Sequence, residues 1–334
     1  MITAEDAEFH TPIADDPTWA ETNYFGFYVP ELRLNGGVYA LFRPSLGVVN
    51  TTVSLNSRKV RAPWEAEYWE SQVHVPIPEN RSLLDYRLAT GLSVRCLESN
   101  RVWDVDYDDG EGTEIHFRYT ALMAPFDIHD PEQDPIVAAK GEDSYFAWGT
   151  AYNGHFDQTG YFEGEIDLNG RRHTFDCVST MDHSWGPRPE RSQTPMSWLH
   201  AHFSHDLAIH AIFDFDPPVG PGGSSALRLT HGYVLEHGSV LGLKAGEGES
   251  VRDCLYPVST RLRLVDRLDR EWHLEGAAQT TFPWQAWPDV VGFNVLHEWR
   301  CDGRTGLGEA MDFLGMSQIT ALYNGLGSRP LAAG

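Results

Sequence analysis

The chain has 334 residues, enough for two average domains or one large all-β domain. Its 25 Lys and Arg stand against 48 Asp and Glu, and the net charge of -23 repels phosphate backbones and anionic lipid, which excludes nucleic-acid partners and a polybasic membrane contact. No stretch approaches the roughly 20 apolar residues of a spanning helix, so membrane insertion is not expected. The opening Met1-Ile2-Thr3-Ala4-Glu5-Asp6 is acidic and unlike a signal peptide, which predicts a cytoplasmic chain.

The runs at 24–29 and 37–42, with the Asn35-Gly36 turn signal between them, predict a first hairpin. Trp64 and Trp69 follow, set around Glu65, Glu67 and Tyr68. Residues 102–107 turn at Asp109-Gly110 into 114–119, and 161–168 turn at Asn169-Gly170 into 172–178. The polar, proline-bearing stretch 127–135 reads as a loop inside the first half. Residues 187–195, PRPERSQTP, carry more breakers and divide the chain into domains at 1–191 and 192–334. A hairpin over 198–212 turns at Ser204-His205-Asp206, and 216–225 is another loop. Later turns fall at His237-Gly238 and Asp302-Gly303, with alternation such as 260–265 between them. Helical pattern is confined to 316–326. The prediction is an all-β protein of antiparallel meanders, with strand content above about 35% and a barrel of eight to ten short strands in each half.

The four cysteines, Cys96, Cys177, Cys254 and Cys301, form no C-x-x-C, which removes zinc ribbons, iron–sulfur clusters and thioredoxin-type centres. G-x-G-x-x-G, P-loop, G-x-S-x-G and H-E-x-x-H patterns are missing as well. What stands out is 11 Trp, 13 Tyr and 16 Phe.

The most distinctive segment is Asp182-His183-Ser184-Trp185-Gly186-Pro187-Arg188. On a strand, period two puts Asp182 and Ser184 on one face and His183 and Trp185 on the other. Two readings stay open. In one the segment is a clasp, with Arg188 paired to an acid and Trp185 plugging a barrel end. In the other it is a site.

D-H-S-W-G-P-R resembles the signature of a bacterial family distantly related to carotenoid 1,2-hydratase (hydroxyneurosporene synthase). That superfamily sets two lipocalin-like β-barrels side by side and includes fungal lipocalin-like Diels–Alderases. Residues 24–44 resemble its first hairpin, and 198–203 the first strand of its second barrel. The resemblance implies two lipocalin-like antiparallel barrels, an acidic catalytic role for Asp182 and no cofactor. Here Pro189-Glu190-Arg191 follow Arg188, where the family usually has an aromatic residue.

On the second hairpin Trp198, His200 and His202 share one strand face, with His210 across the turn. Such imidazoles can act as acid–base groups, hold a metal or simply hydrogen-bond inside a barrel. No carboxylate stands at a characteristic spacing, so the expectation is no metal. Trp284 and Trp287 close a barrel end or line a pocket for a flat apolar molecule.

Together these features predict a cofactor-independent lyase, hydratase or isomerase working by acid–base chemistry on a hydrophobic terpenoid, steroid or aromatic compound. Asp182, His183, His200 and His202 are the expected catalytic groups. Tyr24, Trp69, Trp185, Arg188, Trp198, His210 and Trp284 are the expected substrate contacts. The pocket is expected where the Asp182–Arg188 segment meets the Trp198–His202 strand after a short reversal. A buried carboxyl can stay protonated at neutral pH, which suits Asp182 as an acid. The alternative is a non-catalytic lipocalin-like carrier of an apolar small molecule. The oligomeric state is open, a homodimer being one option.

Overall fold

The structure, a computed structural model, describes residues 1–10, 15–140, 152–188, 194–216, 218 and 220–325. It is 64% strand, far above the predicted threshold, and both sheets are antiparallel with lipocalin-like character.

The first unit holds β1 (Trp19–Val29), β2 (Leu34–Arg43), β3 (Val48–Asn56) and β4 (Tyr68–Pro76). β5 (Asp85–Arg87), β6 (Ser93–Glu98), β7 (Val102–Asp108), β8 (Glu114–Ala121) and the short β9 (Phe126–Asp127) follow. Two long strands, β10 (Gly154–Leu168) and β11 (Arg171–Pro187), complete it. They run in the order β4-β3-β2-β1-β11-β10-β8-β7-β6-β5, with β9 added to β10. The first strand therefore pairs with the last, at the centre of the sheet. The sheet is a half-barrel with β4 and β5 at its two ends, consistent with the expected lipocalin-like barrel. All eleven residues of β1 and all ten of β2 are buried, so these strands are covered on both faces and read as continuous runs.

The second unit holds β12 (Met196–Ser204), β13 (Leu207–Phe215), β14 (Gly223–Glu236) and β15 (Ser239–Asp253). It continues with β16 (Tyr256–Asp266), β17 (Glu271–Ala278), β18 (Phe282–Trp287), β19 (Val290–Cys301) and β20 (Arg304–Gly315). Pairing of β17 with β19 closes eight of these strands into a barrel, and β18 is an extra strand on β19. Leu199, Ile209, Phe213, Leu264, Val295 and Trp299 are part of the packed apolar core of this unit. That core also surrounds a buried ion pair, Arg252 Nε donating to Asp312 Oδ2 at 2.7 Å.

Three expectations are corrected. The first hairpin turns at 30–33, with Arg33 at φ 50°, while Asn35 and Gly36 lie inside β2 opposite Tyr28 and Phe27. Gly36 is there because a Cβ would stand 2.3 Å from the Phe27 ring, and the dipeptide is a packing device rather than a turn. The stretch 127–135 is not wholly inside the first half. From Asp130 it belongs to the second unit, where Asp134 and α1 (Pro135–Lys140) lie, as do residues 58–65. The expected boundary at Arg191 falls in 189–193, outside the described residues. The terminal helix is α2 (Met316–Tyr323), shorter than 316–326, whose last residue lies outside the described residues too. Among the described residues no helix is long and apolar enough to cross a membrane.

Candidate active site

β11 runs without a break through Asp182-His183-Ser184-Trp185. Strict alternation therefore holds, and the two expected catalytic neighbours, Asp182 and His183, point to opposite faces of the sheet. The split that period two predicts therefore stands, and at most one of the two expected catalytic neighbours serves a given site.

Register defines the Asp182 face. A row of directly opposed residues crosses five strands: Thr52, Tyr39, Tyr24, Asp182 and Asp157. Two residues along, Thr22, Ser184 and His155 form the next row, with Thr22 Oγ1 and Ser184 Oγ 2.8 Å apart. Arg188 donates to Ser184 Oγ and lies over the Tyr152 ring, 4.6 Å from its centroid. On the other side of Asp182 the row is Trp69, Ser54, Gly37, Gly26, Thr180 and Thr159. The residues nearest Asp182 in that row are small. Trp69 stands at its far end, 38% exposed on the end strand.

Tyr24, Tyr39, Tyr152, His155, Asp157 and Arg188 are all buried, whereas Asp182 in their midst is half-buried. His155 Nε2 lies 2.9 Å from Asp157 Oδ2. Burial alone would discharge that imidazole, but the Asp157 carboxylate outweighs it and holds the His155 pKa above its ordinary value. Burial raises the Tyr39 and Tyr152 hydroxyl pKa values, against the opposing pull of Arg188, so both phenols keep their protons. The result is a half-exposed carboxylate flanked by fixed phenol donors, a guanidinium and an imidazole–carboxylate pair. Tyr24 and Asp182 were legible in the sequence. Tyr39, Tyr152, His155 and Asp157 were missed, although His155 and Asp157 stand two apart on one strand, a faint signal of a shared face.

The opposite face carries His183 and Trp185. His183 Nδ1 donates to the Thr22 carbonyl at 2.6 Å, and burial pushes the imidazole pKa down to about 3. Trp185 stacks on His10 at 3.7 Å, so this expected substrate contact is engaged away from Asp182.

In the second unit Trp198, His200, His202 and His210 share a face, as the spacing predicts, with His200 directly opposite His210. This face is turned away from the barrel core, which Leu199 and Ala201 enter. The histidines are therefore not lining the barrel interior. His200 Nε2 is 3.5 Å from Glu309 Oε2, and Asn294 Nδ2 donates to Glu309 Oε1 at 2.7 Å. His231 Nδ1 lies 2.6 Å from Asp134 Oδ2, which ties the 130–140 segment to β14. Burial pushes the His202 pKa well below its ordinary value, helped by His200 and His210. Trp284 packs edge-on against Phe313 at 5.9 Å.

Residues 3–311 match the family model described as Domain of unknown function (DUF7064). The chain belongs to that family. No curated protein matches it. Among solved structures it is similar to a protein assigned as AttH from Nitrosomonas europaea, at 12% identity and a TM-score of 0.58 over 91% of this chain and 95% of that one. It is also similar to kievitone hydratase from Nectria haematococca, at 10% identity and a TM-score of 0.52 over 96% and 94%. CghA, whose structure is also known with Sch210972, matches at 13% identity and a TM-score of 0.52 over 90% and 89%. At these identities the likeness establishes the shared fold.

Proposed function

We infer that this member of the family is a cofactor-independent lyase, hydratase or isomerase that moves protons on a hydrophobic terpenoid, steroid or aromatic molecule in the cytoplasm. One observation carries the reading. A half-buried Asp182 sits among buried Tyr24, Tyr39, Asp157 and Arg188, with small side chains beside it. Ionisable groups are costly to bury, and a carrier needs only one or two polar groups to orient its ligand. The fold shared with kievitone hydratase, and the D-H-S-W-G-P-R resemblance to the carotenoid hydratase superfamily, support the same class.

In this reading Asp182 gives a proton to an alkene or leaving hydroxyl, or takes one from carbon. The Tyr24 and Tyr39 phenols donate to a substrate oxygen. The His155 imidazole, whose pKa the neighbouring Asp157 carboxylate raises, stands in the next row to Asp182 and would favour negative charge there as it forms. Trp69 and the small-residue row would accept the flat apolar body of the substrate. His200 and His202 form a second candidate cluster, to be tested separately.

The test is incubation of the purified protein in heavy water with a library of terpenoid, steroid and aromatic alkenes, alcohols and enones, read by mass spectrometry. Gain or loss of one water, or deuterium uptake, that disappears with Asp182→Asn is the expected outcome. Recovery of bound, unaltered ligand with no turnover would replace the enzyme by a carrier.

A further inference from the structure

On the face of β11 opposite Asp182, three groups far apart in sequence meet. His10, from the arm before β1, Glu21 of β1 and His183 of β11 each bring a ligand atom within 4.8 Å of the others. Glu21 and His183 are fully buried, and His10 keeps a fifth of its side chain exposed. The geometry points to a binding site for a divalent first-row transition ion, zinc being the type case, held by His10, Glu21 and His183.

The support lies in how each ligand is oriented. His183 spends its Nδ1 proton on the Thr22 carbonyl at 2.6 Å, which leaves Nε2 as a lone pair, buried and without a hydrogen-bond partner. A carbonyl fixing one imidazole nitrogen while the other ligates is the usual arrangement around bound zinc. Glu21 Oε1 accepts from the Trp19 indole at 3.0 Å and the His10 amide at 2.9 Å, so its position is fixed and Oε2 is turned toward His10 Nδ1, 3.1 Å away. His10 Nε2 lies 3.3 Å from Asp6 Oδ1, and Asp6 is itself held by the Thr3 amide and hydroxyl at 2.7 and 2.8 Å. Asp6 would thus complete a carboxylate–histidine–metal line.

Two imidazoles and one carboxylate form a donor set of catalytic zinc and of non-haem iron, with positions left open for water or ligand. Ligands about 2.1 Å from a tetrahedral ion stand about 3.4 Å apart, close to the His10–Glu21 separation. His10 alone of the three is partly exposed, so an ion would reach the site from the His10 side. Local spacing gave no hint of this set, because it is assembled from an arm and two neighbouring strands. The site is independent of the acid–base reading, which uses the other face.

The test uses the full chain, dialysed against chelator and then titrated with zinc by calorimetry and with cobalt by visible absorption. The expected result is one ion per chain with tetrahedral-type cobalt bands. His10→Ala and Glu21→Gln should weaken zinc by more than about 100-fold, and Asp6→Asn by about 10-fold, while Asp182→Asn leaves affinity unaltered. Circular dichroism of each variant comes first. His10→Ala removes a partly exposed side chain and carries the test if Glu21→Gln does not fold. Absence of stoichiometric zinc and cobalt in the wild type, or wild-type affinity in folded His10→Ala, would overturn the site and leave a clasp for the N-terminal arm.

Discussion

Asp182 and His183 are consecutive residues on one strand, yet the sheet gives them different chemistry. Asp182 faces phenols, a guanidinium and the His155–Asp157 pair, and it remains half-exposed. His183 faces Phe156 and Trp185, is fully buried, and stays neutral with a pKa near 3. His155, only one strand away, is equally buried and its pKa moves upward, because Asp157 stands 2.9 Å from it. Burial alone does not decide the charge of an imidazole here. The neighbouring carboxylate does.

The largest effect should come from Asp182→Asn. If Asp182 transfers the proton, turnover falls by about 100- to 10,000-fold, since that is the typical contribution of a positioned acid or base. The change is isosteric, so the melting temperature should stay within a few degrees, roughly 1 kcal/mol for a protein of this size. Early melting with intact specific activity would make Asp182 a strut and break the contrast between the two faces.

The glycines sharpen it. On the His183 face a Cβ at Gly154 would stand 2.0 Å from the Trp185 ring. Gly154→Ala should therefore destabilise by about 1–3 kcal/mol in urea melts, the range for forced overpacking. On the Asp182 face a Cβ at Gly37 meets Tyr24 and Ser54 at 3.5 Å, ordinary contact. Gly37→Ala should leave stability level or raise it by less than about 1 kcal/mol, while KM rises because the small-residue row beside Tyr24 is filled. Equal destabilisation by both would show that the two faces are packed alike and that no substrate space lies beside Tyr24.

Much of this was legible in the sequence and some of it could not be. The all-β class followed from hairpin signals, and four of them, at Asp109, Asn169, His237 and Asp302, mark real turns between neighbouring strands. The split of Asp182 from His183 followed from period two. What local reading lacked was register between distant strands. Tyr39 and Asp157 join Asp182 only because β1 and β10 flank β11, and β1 is separated from β11 by the rest of the unit. The fully buried β1 and β2 show no alternation, so their polar face was hidden among aromatic residues. Asn35-Gly36 misled because a glycine required by the Phe27 ring looks the same in sequence as one required by a turn. The second-unit role of Asp134 was hidden for a similar reason, since its partner His231 lies far along the chain.

The smallest effect, and the one that isolates the partner rule, is in the pH dependence of stability. His155 has a raised pKa when folded, so between the ordinary imidazole value of about 6.5 and that raised value the folded chain binds more protons than the unfolded chain. Its contribution is complete below about pH 6.5 and is lost as pH rises through the folded value. His297 is the opposite case: buried, donating Nε2 to the Pro257 carbonyl at 2.6 Å, and pushed down to about 4. There the unfolded chain binds the extra proton, and stability is lost as pH falls from about 6.5 toward 4. Urea midpoints from about pH 5 to about pH 8.5 should therefore fall away on both sides of a maximum near neutrality. Asp157→Asn removes the carboxylate that raises the His155 pKa against burial. Its imidazole then behaves like that of His297: the alkaline loss attributable to His155 disappears and the acid loss steepens. Midpoints of Asp157→Asn that run parallel to the wild type would show that Asp157 does not raise the His155 pKa, and would remove the electrostatic support for Asp182.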